Sequence, residues 1–239
     1  MPLPKISTPT YELELPSSGQ TIRYRPFLVK EEKLLVIALE SEDTKQITNA
    51  IKAVIKNCIS TKDIKVETLP TFDIEYLFLN IRGKSVGEEV EVNIICPDDG
   101  ETNVTVSINL DDIQVQKNEE HSNKIKVDGN IMMEMKYPSL EQFIKNNFDF
   151  NNENAMEQSF DLISSCIDKI YTEDEVWSAS DVTKKELNDF LESMNSSQFK
   201  DIEKFFETMP KLSHKIKVTN PKTKVESEVV LEGLASFFA

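Results

Sequence analysis

The chain has 239 residues, 39% of them hydrophobic, and 27 basic against 42 acidic residues give a net charge of −15. That is enough apolar material for one large core or two small ones, and it excludes a wholly disordered chain. The charge argues against binding to nucleic-acid phosphates or anionic lipid, and no apolar run approaches the roughly 20 residues of a membrane span.

The opening residues hold no apolar stretch long enough for a signal peptide, so the expected place is a cytoplasm or a particle assembled there. Cys58, Cys96 and Cys166 are too sparse and too far apart for a disulfide framework, which fits a reducing compartment. The acidity suits solubility, or partners with basic or mixed surfaces.

Residues 11–27 read as a hairpin: Tyr11, Leu13 and Leu15 alternate with polar residues, and Pro16-Ser17-Ser18-Gly19 supplies the turn. A helix starts at Lys30, carries Leu34, Leu35, Ile37 and Ala38, and is interrupted at 41–44. Ile47, Ile51, Val54, Ile55 and Cys58 then share one face of a second helix. The spacing predicts a third helix over 71–82, capped by Thr71 and ended by Gly83.

The period then switches. Val90, Val92 and Ile94 alternate, Cys96-Pro97-Asp98-Asp99-Gly100 turns, and Val104, Val106 and Ile108 return. Residues 116–124 read as a polar linker, and Val127 to Ile131 as another hairpin turn. A short helix is expected around Leu140, Phe143 and Ile144. A longer one follows through Met156, Phe160, Ile163, Ile167 and Ile170, and two more at 181–194 and 197–208. The chain ends in a hairpin, 214–231, turning at Asn220-Pro221-Lys222-Thr223.

Four short matches recur in order. Ile55-Lys56-Asn57-Cys58-Ile59 stands beside Ile163-Ser164-Ser165-Cys166-Ile167, and Asp73-Ile74-Glu75 with Phe78 beside Asp201-Ile202-Glu203 with Phe206. Cys96-Pro97 and Asn220-Pro221 each precede a returning strand. The order suggests an internal duplication. It predicts an α+β fold of two related lobes, 1–115 and 125–239, joined by a linker at 116–124, the second with an extra helix.

Little in the sequence demands catalysis. The turn at Cys96 resembles a zinc-ribbon knuckle, but Asp99 stands where the second thiolate belongs, and the turn at Asn220 has no cysteine. The expectation is a hairpin pair without metal or cofactor. His121 is expected in solvent and His214 at a surface or edge. The pairs Asp98/Asp99, Asp111/Asp112 and Glu119/Glu120 are expected to be solvated, and Cys58 and Cys166 to be buried as small apolar residues. Trp177 is either an interface anchor or a half-buried structural residue. Phe237 and Phe238 either fold back onto the second lobe or dock in a partner.

The stretch Tyr24-Arg25-Pro26-Phe27-Leu28-Val29-Lys30-Glu31-Glu32-Lys33-Leu34-Leu35 is the most recognisable. With Pro4 to Leu13 and the closing Leu231 to Phe238, it resembles the baseplate hub family of T-even-like contractile-tailed phages, including those of cyanobacterial hosts. The resemblance implies a non-enzymatic late protein of tail assembly, made in the cytoplasm of the infected bacterium. It would be a hub subunit or a hub assembly factor, with other baseplate hub or tail proteins as partners and neither nucleic acid nor membrane among them.

Candidate partner contacts are Arg25, Pro26, Phe27, Glu31, Glu32, Trp177, Phe237 and Phe238. Pro26 and Phe27 have a second reading, in which they only set the strand-to-helix junction. The alternative function is an adaptor or regulatory protein with a degenerate zinc-ribbon module.

Overall fold

The computed structural model describes residues 6–41, 43–139 and 155–237. In chain order the elements are β1 (Tyr11–Glu14), β2 (Thr21–Tyr24), α1 (Val29–Glu40), α2 (Thr44–Cys58), a 3-10 turn (Val66–Thr68) and α3 (Thr71–Val86). Then come β3 (Glu89–Ile95), β4 (Asn103–Asn109), a 3-10 turn (Leu110–Asp112), β5 (Gln114–Gln116), β6 (Lys124–Lys126) and β7 (Met132–Met135). The chain goes on through α4 (Ala155–Cys166), β8 (Ile167–Tyr171), β9 (Val176–Ser178), α5 (Lys184–Glu192) and α6 (Ser196–Thr208). It closes with β10 (Lys211–Thr219), β11 (Glu226–Glu232) and a 3-10 turn (Leu234–Phe237). Helices mix with small antiparallel sheets, an α+β fold. The short helix expected around Leu140, Phe143 and Ile144 lies outside the described residues.

The chain forms two compact units, one of residues 1–116 and 211–239, the other of residues 117–210. This differs from a linear split at 116–124. The reason is strand pairing: Lys211, Leu212 and Ser213 of β10 pair with Gln116, Val115 and Gln114 of β5, which brings the last hairpin back to the first unit.

In the first unit, α3 is the central helix. Phe72, Ile74, Leu77, Leu79 and Ile81 are all nearly or fully buried, as expected of a helix covered on most sides. It contacts α2, β5, β10 and the 3-10 turn after β4. Two differences from the sequence reading arise here. Pro70, not Thr71, is the N-cap residue, and the helix runs past Gly83 to a C-cap at Gly87, whose φ is +140°. Gly83 is buried inside the helix because the turn after β4 packs on it. A Cβ at that position would meet Leu110 Cδ1 at 3.4 Å.

The hairpins β3–β4 and β10–β11 share one core, built from Val92, Ile94, Ile108, Leu212, Ile216 and Val218 beneath Leu79. Their strands alternate buried and exposed residues, so each hairpin lends one face to the core. Phe237 is fully buried in this same core. It folds back onto the first unit, whereas the sequence reading had offered the second lobe or a partner. Phe238 lies outside the described residues.

The second unit is a four-stranded antiparallel sheet in the order β6-β7-β8-β9, with α4, α5 and α6. Ile125, Met133, Met135, Ile167, Leu191, Ile202 and Phe205 form its core. Capping boxes set both C-terminal helices: Thr183 with Glu186 begins α5, and Asn195 with Gln198 begins α6. The expected long helix to Ile170 is shorter. It stops at Cys166, and Ile167 to Tyr171 form β8 against β7. The offset of three between Ile167 and Ile170 is helical, but β-branched residues also suit a strand, and a register shift at Glu134/Met135 in the pairing with β7 lets both be buried.

His121 is half-buried rather than solvated. Its ring lies between Thr208 Oγ1 (2.9 Å) and Tyr137 Oη (3.0 Å), near the ring of Phe205, and burial lowers its pKa. His214 is half-buried on β10, the middle strand of its sheet.

Phe237→Ala should lower unfolding free energy by about 3–5 kcal/mol, the usual cost of emptying a buried phenylalanine site. Chemical denaturation read by far-UV circular dichroism checks it; a frayed or partner-docked tail would give no measurable loss.

Candidate partner-contact surface

The recognisable stretch forms a strand-to-helix junction. After β2, the Arg25 N–H donates to the Cys58 carbonyl at 2.9 Å, and Tyr24 bridges Ile59 just beyond α2. The Arg25 guanidinium donates to Pro26 O (2.8 Å) and to Glu31 Oε1 (3.0 Å). Glu31 also accepts from the Leu28 N–H at 2.8 Å, so one carboxylate caps α1 and neutralises the arginine.

Glu31 is 1% exposed. Burial pushes its pKa up, but the hydrogen bonds from Arg25 and Leu28 and the arginine's charge outweigh this, and the net shift is downward. Phe27 N–H donates to Ser85 Oγ at 2.9 Å, which ties the junction to the end of α3. Of the candidate contact residues in this stretch, Pro26 and Glu31 are buried, Arg25 and Phe27 are half-buried, and Glu32 is exposed.

The outside of α1 is different. Glu31, Leu35 and Ala38 form its inner stripe, and Leu35 and Ala38 pack with Ile47, Ala50 and Ile51 of α2. Around the remaining circumference Val29, Leu34, Val36, Ile37 and Leu39 are between 39% and 79% exposed. Large apolar residues exposed among the charges of a helix that is packed on one side form an uncovered apolar surface. The sequence carried this signal in the run Val29 to Leu39. The reading took Leu34, Leu35, Ile37 and Ala38 as helix-forming residues without separating the exposed Leu34 and Ile37 from the inner Leu35 and Ala38.

Trp177 lies on β9, the edge strand of the second unit's sheet, and is 41% exposed beside exposed Val176. The acidic Glu173-Asp174-Glu175 precedes it in the turn between β8 and β9.

The two knuckle-like turns meet. They share one backbone pattern: Gly100 N–H bonds Cys96 O and Lys224 N–H bonds Asn220 O, both at 2.9 Å, with φ +67° at Gly100 and +65° at Lys224. The positions where paired knuckles would present four thiolates hold Cys96, Asp99, Asn220 and Thr223. Asn220 is fully buried, and its amide donates to Asp98 at 3.1 Å and Asp99 at 2.9 Å. Its Oδ1 accepts the Lys222 N–H at 2.8 Å, and Thr223 Oγ1 donates to Asp98.

These residues do not fit a zinc site. One thiol remains, and the amide and hydroxyl turn donors toward the carboxylates a cation would need. Among the described residues no group of three or more His, Cys, Asp or Glu could hold a metal ion. Hydrogen bonds from Thr223 and Asn220 lower the Asp98 pKa, and those from Thr102 and Asn220 hold Asp99 far below the ordinary range. A general acid needs the opposite shift.

A family model described as T4 bacteriophage base plate protein matches residues 8–239. The chain belongs to this family. Neither the curated proteins nor the solved structures gave a match. The T4 base plate family puts the chain among the structural proteins of the phage tail, with other baseplate proteins as its partners. No helix among the described residues is long and apolar enough to cross a membrane. In a baseplate protein the apolar outer side of α1 and the edge carrying Trp177 are surfaces of the kind that assembly covers.

Two substitutions test the polar sites. Arg25→Ala strands a buried carboxylate and should cost about 3 kcal/mol at neutral pH, whereas Arg25→Met with Glu31→Leu should cost clearly less. Because the Glu31 pKa is lowered on folding, its contribution is present above the ordinary 4.5 and fades as pH falls through the lowered value. The Arg25→Ala penalty should therefore shrink in acid; urea midpoints measured across pH read both effects.

Asn220→Ala removes a buried amide that joins two turns and should cost about 2 kcal/mol. Asp98 and Asp99 are likewise lowered, so the clasp is complete above their ordinary 3.8 and weakens as pH falls below it. Thermal melts of the wild type and of Asn220→Ala should converge at low pH; an acid-independent gap would contradict the clasp.

Proposed function

We propose that this protein works without catalysis in the central hub of the baseplate, as a lasting hub subunit or as a factor that assembles the hub. Membership of the base plate family carries the reading, and the likeness of residues 24–35 to hub proteins narrows it to the hub. Its mechanism is the presentation of rigid surfaces. The outer side of α1, exposed Glu32, and Trp177 on its edge strand are the proposed contacts, with Arg25, Pro26, Phe27 and Glu31 fixing the junction that aims α1. Assembly takes place in the cytoplasm of the infected bacterium.

The same reading takes the chain as an internal duplication. Two sets of contacts support it. Arg25 N–H bonds Cys58 O where Tyr24 bridges Ile59, and Lys136 N–H bonds Cys166 O where Met135 pairs with Ile167. The matching turns at Cys96 and Asn220 repeat the correspondence.

Mass spectrometry of intact tails and of free hub intermediates from infected cells tests the proposal. Stoichiometric presence in tails makes the protein a subunit, and presence only in intermediates makes it an assembly factor. Absence from both would overturn the hub reading.

A further inference from the structure

The outer side of α1 has a two-way pattern. About the midpoint between Val36 and Ile37, apolar residues mirror apolar residues: Val36 mirrors Ile37, and Leu34 mirrors Leu39. One position further, Lys33 mirrors Glu40, a base against an acid. At about 100° of rotation per residue, Lys33 and Glu40 fall on the line opposite the inner stripe of Glu31, Leu35 and Ala38, with Val36 and Ile37 to either side of that line, whereas Leu34 and Leu39 flank the inner stripe. Lys33, Val36, Ile37 and Glu40 therefore share the side of the helix opposite α2. All six residues are exposed, and neither Lys33 nor Glu40 has an ion-pair partner among the described residues.

Symmetric apolar positions with antisymmetric charge are what a twofold contact requires, because residue i must suit residue j in both copies. We propose that α1 is a self-association face on which a second copy of this chain docks its own α1 in antiparallel register. Across the twofold axis Val36 lies beside Val36 of the other copy and Ile37 beside its Ile37, and two Lys33–Glu40 pairs on the centre line flank that point.

The contact face carries one positive and one negative charge per copy, so the chain's −15 does not concentrate repulsion there. The bond from Phe27 to Ser85 sets the start of α1 near the end of α3, where Val86 is 60% exposed. A second α1 in antiparallel register supplies by itself the acid that each Lys33 lacks and the base that each Glu40 lacks, and this charge complementarity is what points to a second copy as the occupant. The inference does not depend on the hub placement, and it is tested on the purified full-length chain.

Sedimentation from about 1 to about 100 μM, the range suited to a face smaller than the standard interface, should show a monomer–dimer equilibrium. Lys33→Glu and Glu40→Lys should each weaken dimerisation at least tenfold, to about the extent expected for facing like charges. Mixed together, the two variants should form a heterodimer that neither forms alone, since each then supplies the other's complement. Both residues are exposed, so unchanged melting curves will show that the monomer fold survives.

A wild type that stays monomeric throughout would overturn the proposal, as would single variants that dimerise normally or a mixture that does not associate. Protection of α1 from hydrogen exchange in a strictly monomeric chain would assign its cover to the chain itself.

Discussion

The first unit depends on the burial of α3. This helix touches α2 on the N-terminal side, and on the other side β5 and β10, which join the chain's middle to its end. Its apolar residues point in several directions, so no single neighbour satisfies it. Burial also takes in Asp73 and Glu75. Asp73 accepts both the backbone N–H and the hydroxyl of Ser17, in the loop between β1 and β2, which fastens the opening hairpin to the central helix. Displacing α3 would expose apolar surface from three parts of the chain at once and unpair a buried carboxylate.

Two polar groups inside the fold have designated partners, while Asn188 Oδ1 is buried without a hydrogen-bond partner among the described residues. Glu31 answers Arg25 and caps α1. Asn220 answers Asp98 and Asp99 and closes its own turn. In a knuckle pair a metal ion would bind the two turns together through four ligands. Here a buried amide does so with hydrogen bonds, which need no metal but do need the carboxylates to stay ionised. The groups at these sites are occupied, and their acids are pushed further from neutral pH.

The exposed apolar residues of α1 and β9 lie on elements that the cores already hold. The junction fixes where α1 starts, α2 holds its inner stripe, and its outer side is left uncovered. On the second unit, β9 ends the sheet with its pairing partner on one side only and with Trp177 partly exposed. Rigid presentation lowers the ordering cost of association, which suits a structural protein of the baseplate.

The sequence by itself determined most of the local structure, because periodicity and turn chemistry act over a few residues. The hairpin at β1–β2, helices α1 and α2 with their break, the β3–β4 and β10–β11 hairpins, and α5 and α6 with their caps are all legible in alternation, helical spacing and Pro, Asn and Gly positions. The resemblance at residues 24–35 pointed to the phage baseplate, the family that the whole-chain match shows.

Tertiary structure decided what depends on distant residues. Gly83 sits inside α3 because Leu110 packs on it, and Ile167 to Tyr171 became a strand because β7 offered an edge. His121 left solvent for Tyr137 and Thr208, and the last hairpin with Phe237 joined the first unit through β5. The clasp at Asn220 lies 122 residues from Asp98, beyond the reach of any local pattern. Hydrophobic periodicity shows that a face will be buried, but only the folded chain fixes which face finds a partner and which, like the outer side of α1, is left without one.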